Sequence, residues 1–270
     1  MISSLRLEDQ LTIMTHKTNV EVYDFDFELF FQCSHPYYWQ DQHLCVLRTG
    51  AISDYQNRYD EYLSKGLRLI NSPEQHVLAS ELPAWYSYVQ EFTPRSVCFE
   101  SFPPLEEISD IFSFPIFIKG ARQTSQHNPE LSIIRTPADY ANISQHYQND
   151  PILHWQKIVL REFIDLAPAP ENVPGKIQPS LEFRSFWWNG HCVGWGQYWY
   201  QLPPYSTQGI DKGLSIAQEA ASRLKVPFLV IDIAKTIDGQ WIIIECNDAQ
   251  ESGYSSISPQ VLWKNILDLV

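Results

Sequence analysis

Two acidic residues late in the chain, Asp232 and Glu245, have the types and spacing needed to hold a metal ion. They lie in the segment FLVIDIAKTIDGQWIIIECND, where an Asp-Gly dipeptide at 238–239 joins two apolar runs and predicts a β-hairpin. Folding the chain about that dipeptide pairs Ile237 with Gln240 and, further along, Asp232 with Glu245. Directly opposed side chains have Cβ atoms roughly 4.5–5.5 Å apart. Two carboxylates that close repel each other unless a proton or a cation lies between them.

Asn247 lies two residues beyond Glu245 on the same side of the hairpin and adds a neutral oxygen. Such oxygens suit Mg²⁺, which shares its coordination shell with phosphate. Acidic residues on a hairpin usually form only a solvated face. Here, however, the acids oppose each other rather than a lysine or arginine, and the neighbouring Val230, Ala234 and Ile243 are not polar, so we favour a magnesium site. The opposite face is apolar and is predicted to enter the core: Leu229, Ile231, Ile233, Ile242, Ile244 and Cys246.

Three cationic residues earlier in the chain are candidates to bind phosphate oxygens. Lys119 ends the apolar strand FPIFIK, Arg122 follows in the polar loop GARQTSQH, and Arg184 lies in the middle of a predicted strand beside Glu182. An arginine in mid-strand is often an ordinary partner in a cross-strand ion pair, and that alternative stays open. Taken with the acidic trio, the cations form a set suited to phosphate groups and a bridging metal ion.

Composition limits the classes of function. The chain has 270 residues, 44% of them hydrophobic, which suffices for one large domain or two lobes. Its formal net charge of −13 argues against a nucleic acid as partner. Five widely spaced cysteines without a C-x-x-C pair indicate reduced thiols, and no apolar run predicts a membrane span or a signal peptide. We therefore expect a cytoplasmic protein.

Predicted helices and strands follow one another without regular alternation. An alternating run from Val22 to Leu29 predicts a half-buried strand, and residues 51–65 predict a helix. A capping box at 72–75 predicts a helix that continues toward Gln90. Further strands are predicted at SVCFE, FPIFIKG, LSIIR and KIVLREFI, further helices from Thr136, Ile210 and Ser258, and hairpins at EFRSFWWNGHCVGWGQ and at the acidic segment. This mixture predicts an α+β protein rather than a doubly wound sheet.

The order of several motifs resembles the ATP-grasp superfamily, although the eleven glycines form neither a P-loop nor a Rossmann fingerprint. The resembling segments are FPIFIK, IVLREFI, EFRSFWWNG and IDIAKTIDGQWIIIECND, and GLRLINSPEQHVLASELPAWY is similar to the end of the family's N-terminal domain. The succession EFR, IDIA and ECND resembles especially a compact bacterial and phage clade named for one conserved arginine and two lysines.

The resemblance implies an α+β, ATP-grasp fold in which two lobes grip ATP. A small N-terminal α/β region would occupy residues 1–94. The ATP-grasp domain would occupy residues 95–270, with a central lobe at 95–164 and a C-terminal lobe at 165–270.

The resemblance also implies roles for individual residues. Lys119 would bind the nucleotide phosphates and the adenine side, and Arg184 would hold the terminal phosphate or an acyl-phosphate intermediate, so that these two form the catalytic pair. Arg122 would add a phosphate contact. The hinge would bind adenine and ribose through Glu162, Phe163, Ile164 and Asp165, and Mg²⁺ would be held by Asp232, Glu245 and Asn247.

The activity implied by the resemblance is an ATP- and Mg²⁺-dependent carboxylate–amine (or thiol) ligase that acts on small-molecule or peptide substrates through an acyl-phosphate intermediate. Two alternatives stay open, a catalytically silent ATP-binding module and an ATP-dependent phosphotransferase. The silent module is suggested because ASELPAWY lacks a lysine that many members carry. In addition, the loop after Gly120 contains no further glycine, and Arg122, Thr124, Ser125 and His127 would supply donors instead.

Overall fold

The structure, a computed structural model, describes residues 2–16, 23–36, 39, 42–122, 128–150 and 153–270. It contains three β-sheets with helices packed against them, so the predicted α+β class is confirmed. Within the described residues, the helices are all too short or too polar to cross a bilayer.

The N-terminal sheet has the strand order β3-β1-β2-β4-β5. Its strands are β1 (Ile2–Leu7), β2 (Leu11–His16), β3 (Cys33–Ser34), β4 (His43–Arg48) and β5 (Leu67–Leu69). Strands β2, β4 and β5 are parallel, whereas β1 is antiparallel to both of its neighbours. The helices of this region are α1 (Tyr55–Ser64), α2 (Pro73–Ser80) and α3 (Leu82–Val89).

Two predictions for this region need correction. The strand predicted from Val22 to Leu29 is wrong for the described part, because Phe27–Leu29 form a 3₁₀ turn instead. Phe27 is buried and packs edge-on against Trp263, so its aromatic contacts replace sheet pairing. The helix predicted to run toward Gln90 begins at the expected capping box but breaks at Glu81, where α3 restarts with a proline in its first turn.

The central sheet is antiparallel and has the strand order β6-β9-β7-β8. Its strands are β6 (Ser96–Phe99), β7 (Ile116–Gly120), β8 (Ile133–Ile134) and β9 (Ile158–Glu162). The accompanying helices are α4 (Leu105–Ile111), α5 (Pro129–Ser132) and α6 (Pro137–Asn149). Thr136 caps α6 through a capping box with Asp139, as its sequence position predicts.

The C-terminal sheet is antiparallel and has the strand order β11-β10-β12-β13. Its strands are β10 (Glu182–Trp188), β11 (His191–Gln197), β12 (Phe228–Lys235) and β13 (Trp241–Asp248), and its helices are α7 (Ile210–Leu224) and α8 (Pro259–Leu267). One face of this sheet packs with α3 and α7 in a large apolar core.

The other face of the C-terminal sheet changes character along its strands. At one end, Phe186, Trp188 and Val230 join the apolar core of the N-terminal sheet and α8. Toward the other end, the same strands carry Arg184 and Asp232, which are buried polar residues. Because side chains alternate along a strand, these polar residues point to the same face as the apolar ones. The site therefore lies at the polar end of a face whose apolar end is fixed in the core.

Candidate active site

The hairpin β12–β13 brings the two predicted acids together. Asp232 lies directly opposite Glu245, which confirms that pairing. The turn differs from the prediction, because Thr236 rather than Ile237 faces Gln240: the Thr236 amide donates to the Gln240 carbonyl at 2.9 Å. A bulge beyond Asp232 inserts one extra residue and restores the predicted register at the acids.

The same bulge changes which isoleucines enter the core. Ile243 pairs with Ile233, and both are fully buried in the core on the helix side of the sheet. The predicted core residues Ile242 and Ile244 are only partly buried. Strict alternation fails here because each extra residue in one strand reverses the facing of those that follow it.

Asp232 forms an ion pair with Arg184. Strand β10 places Arg184 directly opposite it on the side away from β13. The Arg184 guanidinium donates to both carboxylate oxygens, from Nε at 2.9 Å and from Nη2 at 2.7 Å, and Nη1 donates to the Gly253 carbonyl at 3.0 Å. Burial lowers the pKa of Arg184, but the adjacent Asp232 more than offsets this and raises it above its usual value. The expectation that the acids face no arginine is therefore wrong.

Glu245 is held by a cation from a different sheet. Lys119 on β7 reaches across and donates to Glu245 Oε1. Although burial raises the pKa of Glu245, Lys119 and a hydrogen bond from Asn247 lower it below its usual value. The structure thus brings together four of the predicted residues around two ion pairs, with Asn247 beside them. The two cations and two carboxylates balance in charge.

Arg161 is a residue of this site that the sequence analysis did not single out. It lies on β9 and is almost fully buried, and its Nη1 donates to the Ile244 carbonyl at 2.7 Å, while Nη2 contacts Thr93 Oγ1. Burial lowers its pKa to about 10. Because Ile244 is the extra residue of the bulge, Arg161 stabilises the backbone that places Glu245 opposite Asp232. The feature of the sequence that points to this residue is a single arginine inside the largely apolar segment KIVLREFI.

Glu182 is a second residue whose importance appears only in the structure. It is two residues before Arg184 on the same strand and is 7% exposed. Burial and the nearby Asp232 raise its pKa to about 8, with Arg184 acting in the opposite direction. At neutral pH the side chain is therefore mostly protonated, and it adds no net charge to the two ion pairs.

Arg122 lies in a neighbouring buried cluster that involves the N-terminal region. Its Nη2 lies 3.2 Å from Glu251 Oε2 and 2.9 Å from His76 Nε2, and its Nη1 donates to the Ile52 carbonyl at 3.1 Å. Arg122 and Asn247 nevertheless line one small pocket, together with Ser80 and Glu251. Arg122 is therefore next to the acidic hairpin but already held by Glu251. The other predicted donors of this loop, Thr124, Ser125 and His127, lie outside the described residues.

The predicted hinge follows β9 directly. The Glu162 amide donates to the Arg95 carbonyl at 2.8 Å, so this amide is already engaged within the chain. The Asp165 carbonyl accepts from the Ile237 amide at 3.0 Å, which ties the end of this segment to the acidic hairpin. Phe163 and Ile164 are partly buried, and Asp165 is exposed.

The oxygen atoms of Asp232, Glu245 and Asn247 are of the kind that Mg²⁺ prefers, but both carboxylates are already paired with cations of the chain. Across the described residues, no three histidine, cysteine, aspartate or glutamate side chains converge as ligands of a metal ion. The Asp232 oxygens are both engaged by Arg184, and Glu245, 22% exposed at its side chain, holds Lys119. The two carboxylates and the Asn247 amide oxygen fit Mg²⁺ when other anions bind the two cations in place of the carboxylates.

The chain is similar to known proteins in sequence, through one family model, and in fold, through solved structures. Residues 107–266 match the model of an ATP-grasp domain family, the third family of the clade that is named for one arginine and two lysines. No curated protein matches the chain in sequence.

Three solved structures illustrate the similarity of fold. The D-Ala:D-Ser ligase VanG from Enterococcus faecalis has a TM-score of 0.60 at 15% identity, with 84% of this chain and 72% of that one covered. A D-alanine–D-alanine ligase from Bacillus anthracis, complexed with ATP, has a TM-score of 0.58 at 11% identity, with 83% and 77% covered. The N5-carboxyaminoimidazole ribonucleotide synthetase from Thermotoga maritima has a TM-score of 0.51 at 13% identity and 76% coverage, and this chain spans about half (51%) of its length.

Proposed function

This chain belongs to the ATP-grasp superfamily, within the clade named for one arginine and two lysines. From that premise we propose that it is an ATP- and Mg²⁺-dependent ligase that joins a carboxylic acid to an amine or a thiol. The proposal rests on one observation: two ion pairs, Arg184 with Asp232 and Lys119 with Glu245, lie next to each other. Structural neighbours of the same fold are ligases, as their names state.

The ion pairs are suited to exchange with a nucleotide and a metal ion. Phosphate oxygens accept strong hydrogen bonds from guanidinium and ammonium groups. When Lys119 and Arg184 turn to phosphates, Asp232 and Glu245 lose their cations and can coordinate Mg²⁺ with Asn247. Because breaking a buried ion pair without replacement is costly, the two exchanges favour each other. Bound there, Mg²⁺ would neutralise charge on the phosphates.

The residues of the chain would then position reactants and compensate charge. The substrate carboxylate forms a bond to the γ-phosphorus of ATP, while the bond from that phosphorus to the bridging oxygen breaks and ADP leaves. The incoming amine or thiol attacks the acyl carbon, loses a proton, and releases inorganic phosphate. We assign the transferred phosphoryl group to Arg184, and its hydrogen bond to the Gly253 carbonyl supports this by fixing the guanidinium from one side.

The segment at 162–165 would bind the base of the nucleotide. The Glu162 carbonyl and the Ile164 amide are the groups assigned to the adenine edge, since the Glu162 amide already donates within the central sheet. Asp165 is assigned to the ribose. Arg122 is assigned a phosphate contact, for which it must leave Glu251.

Substitution of Glu245 by glutamine tests the proposal. Glu245→Gln keeps an oxygen that can accept from Lys119 but removes the charge needed for Mg²⁺, so Mg²⁺-dependent ADP release should fall by roughly 100-fold or more, on the scale typical of a lost electrostatic contact. The measurement is ADP release with a set of acids and hydroxylamine as a general acceptor, with circular dichroism as a check of folding. Glu219→Gln, on the exposed surface of α7, is the matched control. Unchanged turnover in Glu245→Gln would refute the assignment.

A silent ATP-binding module is the second candidate. It is favoured by the segment ASELPAWY, which lacks the lysine that many members of the superfamily carry there. This alternative predicts that Mg²⁺ and ATP bind together without ADP release for any acid and acceptor, which separates it from the ligase.

A further inference from the structure

A pocket of about 260 Å³ lies beside Arg184, within the part of the chain that the structure describes. Its lining includes Tyr23, Lys176, Arg184, Tyr198, Trp199 and Tyr200. Arg184 is therefore shared between this pocket and the ion pair with Asp232. A group bound in the pocket reaches the same guanidinium that the proposed function assigns to the transferred phosphoryl group.

The chemistry of the lining is aromatic and cationic. The Arg184 guanidinium lies over the Tyr198 ring in a cation–π contact, with its carbon 5.0 Å from the ring centroid. Trp199 forms a buried wall, while Tyr200 is 47% exposed at the mouth. The charged residues that line the pocket are Lys176 and Arg184, and its described lining includes no acidic side chain. Such a lining suits an anion attached to a flat apolar group and disfavours a free ammonium group.

Two segments of the chain are folded so that they form the walls of this pocket. The turn at 173–176, within the proline-rich excursion after β9, is closed by a hydrogen bond from the Lys176 amide to the Val173 carbonyl at 3.2 Å. On the other side, the loop that carries Gly253 and Ser255 continues over β11. A Cβ on Gly196 would lie 2.5 Å from Ser256 Oγ, so the glycine is what allows this loop to approach the sheet closely.

We propose that this pocket binds the carboxylate substrate of the ligase and selects an acid with an aromatic side chain and no nearby ammonium group. The proposal rests on the proposed function, because it takes Arg184 as the group that meets the reacting carboxylate. A volume of about 260 Å³ is smaller than a typical pocket for a drug-sized ligand, which suits one amino-acid-sized group. The C-terminal residue of a peptide or an N-acylated amino acid has this chemistry.

The experiment uses three N-acetylated compounds that differ in one feature each. N-acetylphenylalanine has the aromatic ring and the carboxylate, N-acetylalanine lacks the ring, and N-acetylphenylalaninamide lacks the carboxylate. ATP-dependent formation of the hydroxamate, with hydroxylamine as acceptor, measures turnover, and isothermal titration calorimetry measures binding. The variants are Tyr200→Ala and, as a matched control, Tyr88→Ala, because Tyr88 is similarly exposed at 44% but lies on α3.

We expect wild-type kcat/KM to be about tenfold higher for N-acetylphenylalanine than for N-acetylalanine, and calorimetric binding to be weaker for the amide. Tyr200→Ala should raise KM for N-acetylphenylalanine about 5- to 10-fold, as loss of an aromatic contact predicts, whereas Tyr88→Ala should not. If hydroxamate forms but both acids react equally, or both variants behave alike, the pocket is wrongly assigned and the ligase function stands. If no hydroxamate forms with any acid, the ligase function fails. In that case Tyr200-dependent binding of N-acetylphenylalanine supports the pocket, and equal binding of all three compounds overturns it.

Discussion

Glu182 illustrates how burial decides the charge state of a single residue in the site. It lies on the same strand and face as Arg184, and yet Arg184 directs both of its carboxylate contacts to Asp232. Tyr205 and the Tyr198 amide contact the backbone carbonyl of Glu182 rather than its carboxyl group. A buried carboxyl group without a strong cationic partner is more stable in its neutral form. Glu182 therefore fills space beside the ion pairs without competing for their cations.

The raised pKa of Glu182 predicts a dependence of stability on pH. An unfolded glutamate ionises above its usual pKa of 4.5, whereas the folded side chain keeps its proton until about pH 8. The folded state thus binds more protons in this window, and its contribution to the free energy of unfolding falls as pH rises from 4.5 to 8. Glu182→Gln removes this titration, so its stability relative to wild type should increase by roughly 4 kcal/mol as pH rises through this window.

Urea denaturation of Glu182→Gln and wild type at pH 4.5, 6 and 8 measures this effect. Glu171→Gln, at an exposed loop position, controls for the loss of one carboxyl group. A difference between Glu182→Gln and wild type that stays constant with pH would mean that Glu182 is ionised in the folded protein.

At the scale of elements, the hairpin β12–β13 depends on the helix that covers it. Gly213 of α7 lies so close to the hairpin that a Cβ would be 2.7 Å from Ile233 Cδ1 and 2.7 Å from Trp241 Cε3. The glycine lowers intrinsic helix propensity by about 1 kcal/mol relative to alanine. This loss is offset because the helix without a side chain at this position packs directly against both strands, close to the bulge that aligns Glu245.

Gly213→Ala should consequently destabilise the protein although alanine favours helices. The added methyl group must displace Trp241, a rigid aromatic side chain, and such overpacking typically costs about 1–3 kcal/mol, which exceeds the gain in propensity. The midpoint of urea denaturation should therefore decrease. Gly50→Ala is the control, because no atom lies within 4 Å of the added Cβ there. An unchanged or higher midpoint for Gly213→Ala would show that the helix can shift away from the hairpin without loss.

The sequence predicts most elements but fewer of the contacts between them. Capping residues such as Ser72 and Thr136 act locally, so their helices begin where predicted. The pairing of Asp232 with Glu245 was also predicted, since it depends on one hairpin. The cations that pair with these acids lie on β10 and β7. Their positions depend on the strand order and on the packing of two sheets, and local sequence patterns do not contain this information. The bulge at Ile244 is stabilised by Arg161 from a third strand, for the same reason.

The whole molecule brings these contacts to one place from two of its three sheets. Lys119 and Arg161 come from the central sheet, whereas Asp232 and Glu245 come from the C-terminal sheet. The ion pair between Lys119 and Glu245 therefore links the two sheets directly. A ligand that replaces this ion pair must supply equivalent links between the sheets. In the proposed function a nucleotide bound together with a metal ion would do so, because the phosphates would contact Lys119 and the metal ion would contact Glu245.

This exchange predicts that Mg²⁺ and ATP stabilise the protein together but not separately. Mg²⁺ alone must displace Lys119 and Arg184 and leave them buried without anionic partners, and ATP alone must leave the two carboxylates without cations, so neither should raise Tm by more than about 1 °C. Together, at 100 times the dissociation constant, they should stabilise the folded state by about 2.7 kcal/mol, which corresponds to a rise in Tm of roughly 5–10 °C. Differential scanning fluorimetry with Mg²⁺, with ATP and EDTA, and with both measures the three cases, and Glu245→Gln should abolish the joint effect. An equal rise with Mg²⁺ alone would identify a permanent metal site, and no rise in any case would show that the two ion pairs are purely structural.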